Sequence, residues 1–253
     1  MPKPPVTEVI NTMYEMYKDM PETELQYTTP FQLLIAVIMS AQTTDKQVNV
    51  VTQKLYKIVK TPYDIITLWE EKLGEYIRFV GLWKAKKKNI YKTALQLTAN
   101  SEQITKNEEY RVQNAEFIWS LPSNQQFRDS PQQMQSLCGY WIPNTIKWIT
   151  ELPWVGIKTA KVVLAVLYGQ AWIAVDTHVH RVSKRLGRVR WKTITPDTTS
   201  KRLEKKIPNP YKRKAHRAII YFGRYHCTAK KPKCESCPFN GWCPEGKRNL
   251  KFK

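Results

Sequence analysis

Residues 152–158 read Leu-Pro-Trp-Val-Gly-Ile-Lys, and this stretch decides the fold. Before it, isoleucines recur at helical spacing across residues 142–153, which we predict to be a helix opened by Ile142. After it, residues 158–168 carry a second apolar helical face that ends at Gly169. Two helices joined by so few residues must fold back on each other. The stretch therefore predicts a helix, a tight hairpin and a second helix.

The predicted hairpin has a geometry that suits phosphate binding. Backbone N–H groups in the turn and at the start of the next helix point outward together and can hold a phosphate oxygen without reading base sequence. We therefore predict phosphate contacts at Trp154, Val155 and Gly156. A plain turn between two helices is the alternative interpretation.

The remaining periodicity is also helical. Thr29, followed by a proline and then by Gln32, is a capping-box pattern ahead of a helix whose apolar composition predicts a central position. Asp176 is placed to cap a helix that ends at Gly187, and a further helix follows Pro210. Strand patterns are scarce, so the predicted fold class is all-α.

The chain is strongly basic. Its 253 residues carry 41 Lys or Arg against 21 Asp or Glu, a net charge of +20, and residues 184–253 hold 21 of the basic residues against four acidic ones. This charge points to a polyanionic partner, with nucleic acid first and an anionic membrane second. At 42% hydrophobic and 25% charged residues, the composition disfavours wholesale disorder, a collagen-like chain and a membrane-spanning protein.

No stretch has the pattern of a targeting or membrane-spanning segment. Residues 1–6 lack the apolar core of a signal peptide, and the longest aliphatic run, residues 33–39, is too short to span a bilayer. We therefore expect an intracellular protein, cytoplasmic or nucleoid-associated if its source is bacterial.

Residues 99–142 differ from the rest of the chain. They are rich in Gln, Asn and Ser and carry three basic against five acidic side chains. We interpret them as an insertion, partly helical near residues 110–120, which does not line a nucleic acid.

Four of the five cysteines lie within seventeen residues, spaced Cys227-x6-Cys234-x2-Cys237-x5-Cys243. Four thiolates brought together repel one another unless a cation or a cluster neutralises them. The spacing therefore predicts a metal site, with Zn(II) and a 4Fe-4S cluster both compatible. Disulfides are the weaker explanation inside a cell. Cys138 stands apart, within the insertion.

Lys158 and Asp176 are the candidate catalytic residues. Lys158 stands at the start of the second hairpin helix, and a lysine amine is a nucleophile when neutral. Asp176 follows eighteen residues later, behind the apolar residues 172–175, and could return to the lysine across a cleft. Taken separately, the two are compatible with a surface lysine and a helix N-cap. Together with the hairpin and the cysteines they favour a catalytic pair.

Three motifs together resemble endonuclease III, a family of helix-hairpin-helix DNA glycosylases with an iron-sulfur cluster. They are Leu-Pro-Trp-Val-Gly-Ile-Lys-Thr-Ala at residues 152–160, Ile-Ala-Val-Asp-Thr-His-Val-His-Arg-Val at residues 173–182, and the cysteine spacing. Further similarity lies at residues 30–36, 40–45 and 81–86. The resemblance thus covers most of the chain outside the insertion.

The resemblance implies a two-lobed helix-hairpin-helix glycosylase fold that grips DNA between its lobes. One lobe is a six-helix barrel, residues 23–170, with the helix-hairpin-helix at about residues 143–168. The other is an iron-sulfur cluster domain built from residues 1–22 and 171–253. The active site would lie in the cleft between them, and by analogy the metal group is a 4Fe-4S cluster rather than zinc.

The resemblance also implies a bifunctional DNA glycosylase and AP lyase of base excision repair that removes oxidised pyrimidines. Lys158 matches the family's catalytic amine and Asp176 its carboxylate. The lysine would attack C1′ of a nucleotide rotated out of the duplex, form a Schiff base and cut the strand by β-elimination. The cluster ligands implied by the same match are Cys227, Cys234, Cys237 and Cys243.

Further residues are predicted to contact DNA. Gln42 and Leu82 match family residues that enter the duplex where the base has left, with a helix-terminal polar residue and a core leucine as their alternatives. Lys230, Lys231 and Lys233 are predicted to contact the DNA backbone beside the cluster.

Trp154 departs from the family, which has glycine at this position of the hairpin. Glycine tolerates a positive φ and a close phosphate. We expect the turn here to avoid a positive φ at Trp154 and to place Gly156 in the most demanding conformation.

Other interpretations remain open. One is a mismatch-specific or adenine-specific glycosylase of the same superfamily, although these enzymes usually lack the lysine. Another is a non-catalytic iron-sulfur protein that binds DNA, and a third is a small electron carrier, which would not need the basic charge or the hairpin. The expected partner is double-stranded DNA with damaged bases or abasic sites, bound by a monomer without membrane association.

Overall fold

A computed structural model describes residues 3–105, 142–187 and 195–251 of the chain. Over these ranges the backbone forms twelve α-helices and one π-helical turn, without a β-strand, so the predicted all-α class is confirmed. The helices are α1 Val6–Glu15, α2 Pro30–Ser40, α3 Asp45–Leu55, α4 Pro62–Leu68, α5 Glu70–Ile77, α6 Trp83–Thr105, α7 Ile146–Ile149, α8 Ile157–Tyr168, α9 Thr177–Arg185, α10 Pro196–Lys206, α11 Asn209–Tyr221 and α12 Pro244–Lys251, with the π-helical turn at Phe222–His226.

Two compact units make up the chain. The central unit is Thr23–Gly169, and the terminal unit combines Met1–Glu22 with Gln170–Lys253. Helices α2 to α8 therefore belong to the central unit, and α1 with α9 to α12 belong to the terminal unit. The terminal unit is thus built from both ends of the sequence.

Helix α2 forms the core of the central unit. It packs on α3, α6 and α8, and its residues 31–39 are all buried. The Thr29 hydroxyl accepts the Gln32 backbone N–H at 3.2 Å, and the Gln32 side-chain oxygen accepts the Thr29 N–H at 3.3 Å. The predicted capping box and central position are both confirmed. A helix that is apolar all round is stable because it is covered all round.

Helix α6 is the longest of the described helices, at 23 residues. It begins directly after Leu82 and carries four lysines within residues 83–88. It packs on α2, α4 and α5. None of the described helices combines the length and the apolar character needed to cross a bilayer.

The core of the terminal unit forms where α1 and α9 pack on α11. Its buried side chains include Val9, Ile10, Met13, Val179, Val182, Ala215, Ile219 and Phe222. Arg217 donates to the Tyr17 carbonyl at 3.2 Å, and the Tyr221 hydroxyl donates to the Pro21 carbonyl at 2.8 Å. These bonds fasten the N-terminal segment onto α11.

The helix before the hairpin is shorter than predicted at both ends, because α7 spans only Ile146–Ile149, with Thr150 as its C-cap residue, instead of residues 142–153. Helix α7 begins at Ile146 rather than at Ile142, because Thr145 is its N-cap and accepts the Trp148 N–H at 3.3 Å. A threonine cap satisfies an N–H group that a helix start would otherwise leave unbonded. Helix α8 ends as predicted, with Gly169 in the left-handed region at φ 62°.

Most of the predicted insertion lies outside the described residues. Helix α6 continues through Thr105, six residues beyond the predicted start of the insertion at residue 99. The predicted helix near residues 110–120 and Cys138 lie outside the described ranges.

Candidate functional site

Helix α7, a short turn and α8 form the predicted helix-hairpin-helix within the central unit. Leu152 and Val155 are only 2% and 4% exposed, and the Val155 N–H donates to the Leu152 carbonyl at 3.1 Å. Trp154 and Gly156 are exposed. The Val155 amide is therefore engaged inside the turn, and Trp154 and Gly156 form the outward part of the hairpin.

The backbone conformation at Trp154 differs from the predicted one. Trp154 has a positive φ of 63°, whereas Gly156 is extended at φ −83°, so the expectation that the turn avoids a positive φ at Trp154 is wrong. The buried anchors Leu152 and Val155 flank the reversal and fix it at this position. A left-handed conformation costs an L-residue about 1–2 kcal/mol. The chain therefore keeps the hairpin at the cost of local strain.

The start of α8 is open to an anion. Gly156 is its N-cap residue, and no side chain caps the helix. A Cβ added at Gly156 would meet no atom within 4 Å, so neither its φ nor packing within the unit requires glycine. N–H groups of a first helical turn lack acceptors in their own helix and lie at the positive end of its dipole. The position suits a closely approaching phosphate.

Lys158 lies in the first turn of α8, and its side chain is exposed. The opposite face of this helix is buried at Ala160, Val163 and Leu164. Because burial of one face fixes the rotation of a helix, α8 presents the Lys158 amine to solvent beside its open N-terminus.

Asp176 belongs to the terminal unit and caps α9. Its Oδ1 accepts the Val179 N–H at 2.7 Å. Residues 173–175 before it are buried, which holds the carboxylate at the helix start. Asp176 is therefore an N-cap, which was the alternative to a catalytic role in the sequence analysis. The cap bond is accepted by Oδ1, one of the two carboxylate oxygens, so capping and a chemical role are compatible.

The two histidines beside Asp176 are held by neighbours in the terminal unit. Nδ1 of His178 lies 3.1 Å from the guanidinium of Arg181, and burial lowers the pKa of the His178 ring. Nδ1 of His180 lies 3.0 Å from the Thr199 hydroxyl. These contacts are structural, and neither histidine is given a catalytic role.

Gln42 and Leu82 share an unusual backbone conformation within the central unit. Each has φ 58°, and both side chains are exposed, Leu82 to 51%. Leu82 is therefore not the core leucine of the alternative interpretation. Non-glycine residues in the left-handed region cluster at functional sites, where the surroundings hold them. The strain favours a functional role for both side chains.

The four clustered cysteines are free thiols, and Cys243 is buried. Burial, reinforced by the neighbouring thiols of Cys243, Cys227 and Cys234, raises the pKa of Cys237 to about 11, so the four groups interact electrostatically. Within the described ranges, no three His, Cys, Asp or Glu side chains converge as a single metal ion requires. Four clustered cysteine thiols are the donor set that a 4Fe-4S cluster takes.

Two N–H groups also point at these thiols. The Gly246 backbone N–H donates to Sγ of Cys243, and the Asn249 side-chain amide donates to Sγ of Cys234, each at 3.4 Å. Hydrogen bonds to cluster sulfurs are one way in which a protein stabilises an iron-sulfur site. The donor set therefore fits an iron-sulfur cluster.

Arg185 is a positioning residue that the sequence analysis missed. Its guanidinium donates to the carbonyls of Thr228 at 2.6 Å and Ala229 at 2.8 Å, lies 3.5 Å from Sγ of Cys227 and pairs with Glu245 at 3.5 Å. It thereby shapes the loop after the first cysteine. In the sequence it is one basic residue among many, so no pattern marks it.

The lysine loop, residues 228–233, exposes Lys230, Lys231 and Lys233. The Thr228 hydroxyl donates to the Lys231 carbonyl at 2.7 Å, and the Lys233 N–H donates to the His226 carbonyl at 3.0 Å. The backbone is thus held while three ammonium groups face solvent. This arrangement suits contacts to a phosphate backbone.

Comparison with family models identifies two matches. The model of the HhH-GPD superfamily base excision DNA repair protein matches residues 35–209. The iron-sulfur binding domain of endonuclease III matches residues 227–243, a span that begins and ends at the outer two clustered cysteines.

Curated proteins and solved structures give the same result. Endonuclease III of Bacillus subtilis strain 168 is 36% identical over 91% of this chain and 88% of its own. Endonuclease III of Haemophilus influenzae is 38% identical over 92% of this chain and 91% of its own. A solved structure of a trapped endonuclease III–DNA covalent intermediate, an estranged-adenine complex, is 36% identical over 97% of both chains, with a TM-score of 0.76.

Proposed function

This chain belongs to the endonuclease III family of helix-hairpin-helix base excision DNA repair proteins, and on that premise we propose how its own residues carry out the reaction. It is a DNA glycosylase and AP lyase with a 4Fe-4S cofactor and the two-lobed glycosylase fold expected from its motifs. We retain residues 23–170 as the proposed barrel domain, and residues 1–22 with 171–253 as the proposed cluster domain.

One observation carries the assignment of the nucleophile: Lys158 is exposed in the first turn of α8, beside the uncapped N-terminus of that helix. A phosphate held by the first-turn amides would bring the adjoining sugar toward the amine. The related structure of a trapped covalent endonuclease III–DNA intermediate supports a covalent step.

Base removal begins with a nucleotide rotated out of the duplex, because C1′ of a stacked nucleotide is shielded from side chains. The Lys158 amine attacks C1′ as the N-glycosidic bond breaks, and the base leaves with the bonding electrons and takes up a proton. Asp176 is proposed to accept the proton from the amine and to stabilise positive charge on the sugar. The sugar ring then opens: the C1′–O4′ bond breaks, O4′ takes its electron pair and the proton held by Asp176, and the nitrogen lone pair forms the C1′=N bond of a protonated Schiff base on Lys158.

Strand cleavage uses the same lysine. The iminium acidifies the C2′ proton, and removal of that proton breaks the C3′–O bond, so the 3′ phosphodiester leaves by β-elimination. Water then hydrolyses the iminium and returns Lys158 as an amine. A single amine therefore serves both the glycosylase and the lyase steps.

Duplex DNA containing a damaged base or an abasic site is the proposed partner, bound by a monomer. Gln42 and Leu82 would enter the stack where the nucleotide has left, the amide facing the orphaned base and the leucine acting as a wedge. The start of α8 and the lysine loop would hold phosphates on the backbone. Oxidised pyrimidines are the proposed damaged bases.

The proposed ligands of the 4Fe-4S cofactor are Cys227, Cys234, Cys237 and Cys243. When bound, the cluster supplies a structural crosslink among these four positions rather than a reacting group. Arg185 holds the carbonyls that follow the first cysteine, so the lysine loop keeps its form against the DNA backbone.

A base-release assay on defined duplexes tests the proposed substrate. We expect the protein to release thymine glycol and cut the strand at rates about 10²-fold or more above its action on mispaired thymine or adenine, because the pocket must discriminate chemically distinct bases. Borohydride should trap the protein on abasic-site DNA. Release of mispaired adenine without strand cleavage would favour the adenine-specific alternative, and absence of any trapped adduct would favour the non-catalytic one.

The strain at Trp154 predicts an unusual response to mutation. Trp154→Gly should be more stable than Trp154→Ala by about 1 kcal/mol, because both remove the indole but only glycine relieves the left-handed backbone. Thermal unfolding of the two variants measures this difference. Single-turnover lyase rates on pre-bound DNA should be nearly unchanged in Trp154→Gly. Equal stabilities of the two variants would contradict the strained conformation.

A further inference from the structure

Lys86 is buried, and no described residue forms an ion pair with it. Its side chain is 0% exposed, although lysines are almost never fully buried unless paired. The ammonium donates to the carbonyls of Met39 at 2.8 Å and Ala41 at 2.5 Å and to the Thr43 hydroxyl at 3.2 Å. Three donors meet three neutral acceptors, so the group is fully bonded without a carboxylate.

The acceptors of Lys86 belong to the end of α2 and the loop that follows. The last carbonyls of a helix lack partners and carry the negative end of its dipole. Helix α2 has no left-handed glycine to close it, since its C-cap residue Ala41 has φ −59°. Lys86, which lies on α6, bonds the carbonyls at the end of α2 in place of a C-terminal cap from the chain itself. Its positive charge also suits the negative end of the α2 dipole.

The same bonds join two loops. The Thr43 hydroxyl that accepts from Lys86 also accepts the Gly81 N–H at 3.1 Å. A Cβ at Gly81 would lie 3.0 Å from the Gln42 carbonyl oxygen, so the two backbones are in close contact. The Lys86 backbone N–H also donates to the Leu82 carbonyl at 3.0 Å. Lys86 thus contacts both loops, through its side chain and its backbone.

These loops carry the two strained, exposed residues of this unit that are proposed to enter DNA. Gln42 and Leu82 both hold φ 58°. A strained conformation persists only where the surrounding structure fixes it. The Lys86 bonds reach the residues on either side of Gln42 and the carbonyl of Leu82, and are therefore placed to fix both.

We propose that Lys86 is a positioning residue that locks the Gln42 loop to the Leu82 loop, so that both side chains are presented to the duplex as one preorganised pair. The inference rests on the proposed function, in which Gln42 and Leu82 enter the stack. Lys86 is buried and does not touch DNA, so its proposed effect on DNA distortion acts through the two loops.

The test replaces Lys86 with methionine, which keeps the length and packing of the side chain and removes its donors. The probe is a duplex that carries a tetrahydrofuran abasic analogue, which cannot form a Schiff base, beside the fluorescent base 2-aminopurine. The fluorescence of 2-aminopurine rises when it is unstacked, and this rise is the insertion signal. We expect Lys86→Met to lower the insertion signal and the rate of base release by about tenfold or more, because small displacements of inserted groups are costly.

A matched control separates positioning from general destabilisation. Tyr56→Phe removes another bond to a backbone carbonyl of the central unit, from the Tyr56 hydroxyl to Gln32 at 2.6 Å, without touching either loop. We expect it to keep the wild-type insertion signal. If Lys86→Met does not fold, Thr43→Val removes the shared acceptor and should lower the signal in the same direction by a smaller factor.

Coupling to Leu82 decides whether Lys86 acts through the loops. Leu82→Ala should lower the insertion signal, and adding it to Lys86→Met should lower the signal little further, because both changes remove the same insertion. Losses that multiply, or wild-type insertion by a folded Lys86→Met protein, would overturn the proposal. If Leu82→Ala has no effect, the Lys86 proposal falls too, while borohydride trapping independently reports whether the proposed lyase function stands.

The pH profile gives a readout that a purely structural role would not. Burial alone lowers the pKa of Lys86 from 10.5 to about 8. None of the charged groups on the neighbouring segments contributes to this shift; they include Asp45, Lys46, Asp64, Glu70, Glu71, Lys72, Glu75, Arg78, Lys84, Lys87 and Lys88. As the pH rises through 8, the Lys86 ammonium loses a proton and becomes an amine with only two N–H donors for its three acceptors. One of the bonds that hold the loops is then lost, so the insertion signal should fall.

Stability should change in the opposite direction over the same range. Between pH 8 and 10.5 the unfolded chain holds a proton on Lys86 that the folded chain has lost, so the free energy of unfolding rises with pH. The wild type minus Lys86→Met difference isolates this group. An insertion signal that falls with pH while the free energy of unfolding rises would support a positioning role. An insertion signal that rises together with the free energy of unfolding would contradict it.

Discussion

Lys158→Ala is expected to abolish the borohydride-trapped adduct and to lower strand cleavage by about 10⁴-fold or more, because no Schiff base can form without the amine. Binding to damaged duplex should persist within about threefold, since one ammonium is a small part of a set of phosphate contacts. The measurements are gel detection of the adduct on abasic-site DNA, single-turnover cleavage and a binding titration at fixed salt.

Lys147→Ala is the matched control for this experiment. Lys147 is an exposed lysine on α7, on the other helix of the same hairpin, so its loss removes an equal charge without removing the proposed nucleophile. The control should trap like the wild type. Wild-type trapping by Lys158→Ala would remove Lys158 from the mechanism, whereas weak binding by both variants would show that the hairpin charge matters more than the amine.

The second large effect is expected at the cluster. The purified protein should be brown and contain iron and sulfide, and Cys243→Ala should lose the visible absorbance and lower the Tm by more than about 10 °C, because metal-site binding energy is also folding energy. Cys243 is 6% exposed within the core of the terminal unit, so its loss also removes an internal contact. Absorbance, iron analysis and thermal unfolding measure the outcome.

Cys138→Ala is the control for the cluster prediction, because Cys138 lies outside the cysteine motif. It should keep the colour, the iron content and the thermal stability of the wild type. A colourless, zinc-containing protein with full activity would contradict the cluster assignment. Loss of colour in Cys138→Ala would show that the ligand set is not the four residues proposed.

Features with short-range signals could be predicted from the sequence. The capping box at Thr29, the N-cap at Asp176 and the helix end at Gly169 each depend on residues a few positions apart, and the structure shows all three. The cysteine spacing and the hairpin motif are also local. These features carry the all-α class and most of the candidate site.

Features decided by packing between distant segments could not be predicted. Lys86 lies among three other lysines within six residues, a pattern typical of a solvated helix face, yet its partners come from residues 39–43. The left-handed residue of the hairpin is Trp154 rather than Gly156, because buried anchors on each side, and not residue preference, decide where the chain reverses.

The terminal unit, assembled from both ends of the chain, has a consequence for synthesis. The bond from Arg217 to Tyr17 spans 200 residues, as does the bond from Tyr221 to Pro21, so the cluster-bearing unit has high contact order. The central unit is continuous from Thr23 to Gly169 and can fold while the ribosome is still producing the rest. Helix α1 precedes the central unit in the sequence and α11 follows it, so α1 is synthesised well before the helix on which it packs. The four clustered cysteines also follow the central unit in the sequence, so a cluster can be assembled on them only after the proposed DNA-binding hairpin has been synthesised.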